Sequence, residues 1–172
     1  MVTRPTKAWT LSWCNGVFHG MSAAVVAVFC YWTASRVPSL PETYWAPIAA
    51  VVVLYPDRDE TRKASIQRFV GTAIGSLIGW ASATLWHENL MFYGLSVLLA
   101  VGICYILRLE GASRLCAVTV TVITLIPRSE PTYLVAFHRF VEVSYGVACA
   151  LVYTALTDWA SKRWRSRRAD SS

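Results

Sequence analysis

Arg68 and Arg139 are the side chains whose chemistry most needs explaining. Each is followed by Phe-Val, they stand 71 residues apart, and each lies beside long apolar sequence. A guanidinium is permanently charged and offers a planar fork of donors that matches a carboxylate in bidentate fashion. For Arg68 two readings fit equally well. The side chain holds an anionic ligand, or it anchors a helix end by reaching to lipid phosphates. Thr61, Ser65, Arg68, Thr72, Gly75 and Gly79 follow one another at spacings of 4, 3, 4, 3 and 4, which places a polar-then-small stripe on one helix face. Thr72 therefore joins Arg68 as a candidate binding residue. Gly71, Gly75 and Gly79 form a GxxxGxxxG run, which predicts close approach of another helix.

A second stripe runs through Arg139, Glu142, Gly146, Cys149 and Tyr153. Glu142 lies three residues after Arg139, so the two are expected to pair on one face. It reads either as a structural partner or as a proton-coupling carboxylate. His19 sits in an otherwise uncharged run; a titratable imidazole there suits proton coupling, and helix packing accounts for it as well. Tyr44 and Trp45 fit an interfacial aromatic belt and stand as further candidate binding residues.

Metal, cofactor and hydrolytic chemistry find no support. The three histidines are far apart, and neither HExxH nor GxSxG occurs. Cys14, Cys30, Cys104, Cys116 and Cys149 all fall in apolar runs and read as small buried hydrophobes. No enzyme activity and no cofactor is expected. The segment Trp159–Arg168 carries five basic residues and two tryptophans, which suits an anchor on anionic lipid and not nucleic-acid binding.

The elements that must position these residues follow from composition. Hydrophobic residues make up 55% of the 172, charged residues only 15%, against about a quarter in a soluble domain. Ala8–Ser35 holds no Asp, Glu, Lys or Arg over 28 positions, and Phe69–His87 and Asn89–Leu107 add two such runs of 19. A 19-residue helix spans roughly 28 Å, close to a bilayer core. Soluble enzyme folds and intrinsic disorder are excluded. Spans are expected at 14–35, 69–87 and 89–107. Shorter ones are expected at Thr43–Pro56, Leu115–Pro127 and Val143–Thr157, with Pro56 and Pro127 closing the two shortest. Six crossings with both termini inside place 13 of the 16 Lys and Arg residues, and an Asp57–Gln67 loop, on the cytoplasmic side. The first run is too long for a cleaved signal.

Val51–Leu85 matches Val122–Leu156 without gaps at an offset of 71, with nine identities. They include Pro56 on Pro127, Thr61 on Thr132, Arg68-Phe-Val on Arg139-Phe-Val, and Gly75 on Gly146. Each unit holds three spans, an odd number, so the two must cross the membrane in opposite senses. The expected fold is an all-α polytopic membrane bundle of about six helices, built as two inverted three-helix repeats. Paired short, Pro-ended segments in such a plan point to a transporter binding site.

Tyr44-Trp45, then Val51-Val52-Val53-Leu54-Tyr55-Pro56, then Arg68-Phe69-Val70-Gly71-Thr72 with Gly75, resemble the fusaric acid resistance (FUSC-like) family of aromatic acid exporters. The likeness is close over about residues 20–80; Tyr55 stands where the family often shows Gln. What the resemblance implies is proton-driven efflux of small aromatic carboxylates across a bacterial inner membrane. Larger members carry two such units and a soluble domain, so a lone unit implies a homodimer. The expected organisation is a cytoplasmic segment at 1–13, a membrane domain at 14–158 and a basic tail at 159–172. The expected partners are membrane lipid and a small organic anion. The alternative is a non-transporting scaffold or accessory subunit.

Overall fold

The computed structural model describes residues 8–38, 40, 42–85, 90–126 and 131–169, with side chains from residue 16. The described residues form six helices and no strand. They are α1 (Ala8–Ala34), α2 (Trp45–Val53), α3 (Arg58–Leu85), α4 (Leu90–Ile106), α5 (Glu110–Leu125) and α6 (Thr132–Ala169). Pro127 and Cys14 fall outside the residues or side chains described.

Two helices are long and apolar enough to cross a bilayer unaided, α1 over Gly16–Ala34 and α6 over Thr132–Trp164. The 17 residues of α4 are apolar from end to end. The described surface is largely apolar, and the interior holds polar and charged side chains beside its apolar cores. Phe18, Val28, Leu90, Met91, Leu98 and Ile106 face outward, whereas Ser65, Arg68, Thr72, Ser76, Arg139 and Glu142 are buried. A soluble domain distributes these types the other way round; a surface of this kind is what a membrane covers.

Three expected boundaries shift. Asp57–Gln67 is not a loop: α3 begins at Arg58. Its charges mark a water-facing segment, but Arg, Lys, Glu and Ala are good helix formers, so low hydropathy does not stop the helix. Asp59 and Glu60 also suit the positive end of the dipole. For the same reason the basic segment after Trp159 continues α6 as far as Ala169. The third shift is in the Thr43–Pro56 segment, where α2 takes up only nine residues. Pro47 is tolerated in its first turn because no N–H is needed there. The helix ends as Leu54 turns extended at ψ 115°, ahead of Pro56, which disfavours helix in the residue before it. Thr61, fully buried, closes the turn into α3. Its hydroxyl accepts the Tyr55 N–H at 3.0 Å and lies 3.0 Å from the Tyr55 and Asp57 carbonyls.

The packing scheme maps onto itself when each helix is exchanged for the one three places along. α1 packs on α2 and α6, as α4 packs on α5 and α3; α2 lies on α6 as α5 lies on α3; and α3 meets α6. Gly71, Gly75 and Gly79 form the α3 face against α5. A β-carbon on Gly75 would stand 2.7 Å from the Cys116 carbonyl oxygen and from Thr119 Cβ. Gly146, at the equivalent position in α6, is pressed in the same way on the Ala46 backbone of α2. Phe69 and Phe140, equivalent in the repeat, meet in a tilted ring contact with centroids 5.1 Å apart.

Candidate functional site

The α3 stripe is buried along its length. Ser65 is 1% exposed, Arg68 7%, Thr72 1% and Ser76 7%. Ser65 Oγ, Arg68 Nε, Thr72 Oγ1 and Ser76 Oγ have no hydrogen-bond partner. Elsewhere in the bundle the helical hydroxyls are satisfied locally. Thr119, Thr121, Thr124, Ser144 and Thr154 donate to the carbonyl one turn back, at 2.6 to 2.9 Å. A buried polar atom without a partner costs about 1–3 kcal/mol. Four such atoms follow one another on one face of α3, which makes this stripe the candidate site. Sequence spacing points to Arg68 and Thr72; Ser76 extends the stripe a further turn.

Arg139 differs from Arg68 in having a carboxylate partner, although hydrogen bonding does not reach every nitrogen of its guanidinium either. It is 3% exposed, and its Nη2 donates to Glu42 Oε2 at 2.8 Å. Trp45 Nε1 donates to the same oxygen at 2.8 Å, and the guanidinium lies 3.9 Å from the centre of the Trp45 ring. Glu142, 1% exposed, stands 3.8 Å from Arg139 Nη1 and accepts the Glu42 backbone N–H at 2.9 Å. The expected Arg139–Glu142 pair is therefore present, but the shorter contact goes to Glu42. Glu42 has no helical spacing to Arg139 and lies 97 residues away, so nothing in the local pattern signals it. Tyr44 is half-exposed and its ring meets that of Trp45 at 5.6 Å.

The repeat offset makes the contrast sharp. Positions 71 residues from Ser65, Thr72 and Ser76 are Ala136, Val143 and Val147. Gly71 stands where Glu142 does, and the packing of α5 on α3, which pairs Cys116 with Ala46 and Thr119 with Ala49, places Ala112 and Leu115 where Glu42 and Trp45 stand. Arg68 thus has hydroxyls along its helix and no carboxylate at these positions, whereas Arg139 has carboxylates and an apolar stripe.

Ser76 also borders an open groove of about 610 Å³ on the outer surface between α3 and α6, walled by Leu77, Trp80, Tyr133, Phe137 and Phe140, of which Leu77, Tyr133 and Phe137 are more than half exposed. Its lining is almost wholly apolar and aromatic. Thr72 and Arg68 continue from Ser76 down the same face of α3, one and two turns away. An aromatic-walled groove with a buried cation further along the stripe suits a molecule with a ring and a negative group. His19 lies half-buried on α1 in line with Ala23, Val26 and Cys30, the face that packs against α2 and α6, and is not drawn into the Arg139 cluster. Cys30, Cys104 and Cys116 are fully buried in the two apolar cores. Pro56 is exposed in the turn between α2 and α3.

A family model described as fusaric acid resistance protein-like matches residues 25–153, about three quarters of the chain. The match runs from the middle of α1 into α6 and takes in both arginines, the α3 stripe and the α3–α6 groove. No curated protein and no solved structure matches the chain.

Proposed function

The chain belongs to the fusaric acid resistance protein-like family, and from that membership we propose that it exports small aromatic carboxylates across a bacterial inner membrane, driven by the proton gradient. The observation that carries the reading is Arg68, a buried guanidinium whose Nε has no partner, in line with three unpartnered hydroxyls and an aromatic-walled groove. The carboxylate binds Arg68 and Thr72, and the ring moves along Ser76 into the space between Trp80, Phe137 and Phe140. Six crossings with both termini inside put Arg68 toward the cytoplasmic end of α3 and the groove toward the outer end, the order export requires. The interchangeable packing of α1–α3 and α4–α6, and the Phe69–Phe140 contact between equivalent residues, support two inverted units. Glu142 is the assigned proton carrier, because two carboxylates share the single Arg139 guanidinium and one of them is surplus to its charge. His19 is secondary. The chain works as a homodimer.

The test is benzoate uptake into inverted vesicles under an imposed proton gradient, per unit of folded protein. Arg68→Lys keeps the charge and loses the planar fork, removing one charge-assisted hydrogen bond of about 1.5–3 kcal/mol, a fall of roughly 10- to 100-fold. Arg68→Ala abolishes uptake. Wild-type uptake by Arg68→Lys refutes the site. Wild-type protein inert across a panel of aromatic acids indicates a non-transporting subunit instead.

A further inference from the structure

We propose that Arg139 is a second anion site which the chain keeps filled with its own carboxylate, Glu42, and that a small aromatic carboxylate takes the place of Glu42 there on its way out. The inference rests on the export reading and extends it to the second half of the repeat.

Three observations carry it. First, Glu42 occupies the position of a bound carboxylate through a single oxygen, leaving the rest of the guanidinium fork unused by it. One oxygen accepts Arg139 Nη2 and Trp45 Nε1, both at 2.8 Å, beside an indole face that covers the guanidinium. Second, the two acids around Arg139 differ in how they are held. Glu142 belongs to the interior of α6 and is 1% exposed, whereas the Glu42 side chain is 25% exposed and hangs from the segment joining α1 to α2. Glu42 can leave into water; Glu142 cannot. Exchanging one carboxylate for another keeps the charge of the cluster constant, so the step strands no buried ion. Third, the equivalent arginine has no such internal ligand. Gly75 meets the Cys116 carbonyl and Thr119 as Gly146 meets the Ala46 carbonyl and Ala49, so α5 lies on α3 as α2 lies on α6 at an offset of 70, and Ala112 and Leu115, neither of them acidic, stand where Glu42 and Trp45 do. A carboxylate needed merely to neutralise a buried arginine would be needed in both halves. It was built into one, which suits a ligand that must be displaced at the exit and not at the entry. A tethered group competes at an effective concentration in the millimolar range, so it holds the site shut against dilute solute and yields to substrate delivered along the stripe.

Equilibrium dialysis of the purified full chain against radiolabelled benzoate separates the possibilities. Wild-type protein is expected to bind one benzoate per chain, lost in Arg68→Ala. Glu42→Gln is expected to bind two, and the added one persists in Glu42→Gln with Arg68→Ala. Glu42→Asp keeps the charge but withdraws the carboxylate by one methylene. It is expected to fold as wild type and to show the second benzoate at concentrations where wild type shows one. Folded Glu42 variants with unchanged stoichiometry overturn the proposal and leave Glu42 a fixed ion pair. An added benzoate in Glu42→Gln, with no Arg68-dependent binding in wild type, supports the Arg139 site and refutes the Arg68 site. No binding in any variant overturns both.

Discussion

Thr72→Val separates ligand binding from folding, because the structure predicts opposite signs for the two. Thr72 is 1% exposed and its Oγ1 has no partner. Valine has the same branched outline, so rotamer restriction and helix propensity nearly cancel and no cavity opens. What changes is the cost of burying an unpaired hydroxyl, about 1–3 kcal/mol in water-soluble proteins. In a membrane bundle the unfolded helices also find partners, which brings the expected gain to the lower end, about 1 kcal/mol. Val143, the equivalent residue in α6, shows that the packing accepts valine at such a position. Thr72→Val should therefore unfold later in a denaturant titration in detergent. If Thr72 hydrogen-bonds the substrate carboxylate, uptake of benzoate should fall about tenfold, the worth of one such bond. Thr119→Val is the control. That hydroxyl already donates to the Leu115 carbonyl at 2.8 Å, and its loss strands no buried group, so stability should stay within about 0.5 kcal/mol. A less stable Thr72→Val would show that the hydroxyl has a structural partner. A more stable variant that transports at the wild-type rate would show that the stripe contacts no ligand. Either result refutes the reasoning.

Two further outcomes test the packing. Gly75→Ala places a β-carbon 2.7 Å from Cys116 O and Thr119 Cβ and must part α3 from α5, a loss of about 1–3 kcal/mol; Gly102→Ala, with nothing within 4 Å, should gain up to about 1 kcal/mol by the same denaturant titration. Arg108 adopts φ 57° where Leu109 N–H closes onto the Cys104 carbonyl at 2.8 Å at the end of α4; Arg108→Gly should relieve about 1 kcal/mol and raise the unfolding midpoint, and an unchanged midpoint would show that the left-handed turn carries no strain.

Much of this protein is legible in its sequence, for a simple reason. Uncharged runs and period-3.6 stripes are local properties, so α1 and α4 and the polar face of α3 follow from composition and spacing alone. The Gly71-Gly75-Gly79 run likewise announces a close helix contact, and the structure supplies α5 as its partner. The 71-residue match made Arg68 and Arg139 equivalent before any coordinates. Helix ends in polar sequence were not legible at Arg58 or beyond Trp159, because hydropathy reports where lipid lies and not where hydrogen bonding stops. Only tertiary structure made the two arginines different. Glu42 reaches Arg139 across 97 residues, through a turn and the docking of α2 on α6, and no periodicity encodes such a distance. The absence of a partner is likewise a property of three-dimensional surroundings: Ser65, Thr72 and Ser76 look like any helical hydroxyls in sequence. Burial without a hydrogen-bond partner sets these hydroxyls apart, and a carboxylate from elsewhere in the chain distinguishes Arg139 from Arg68.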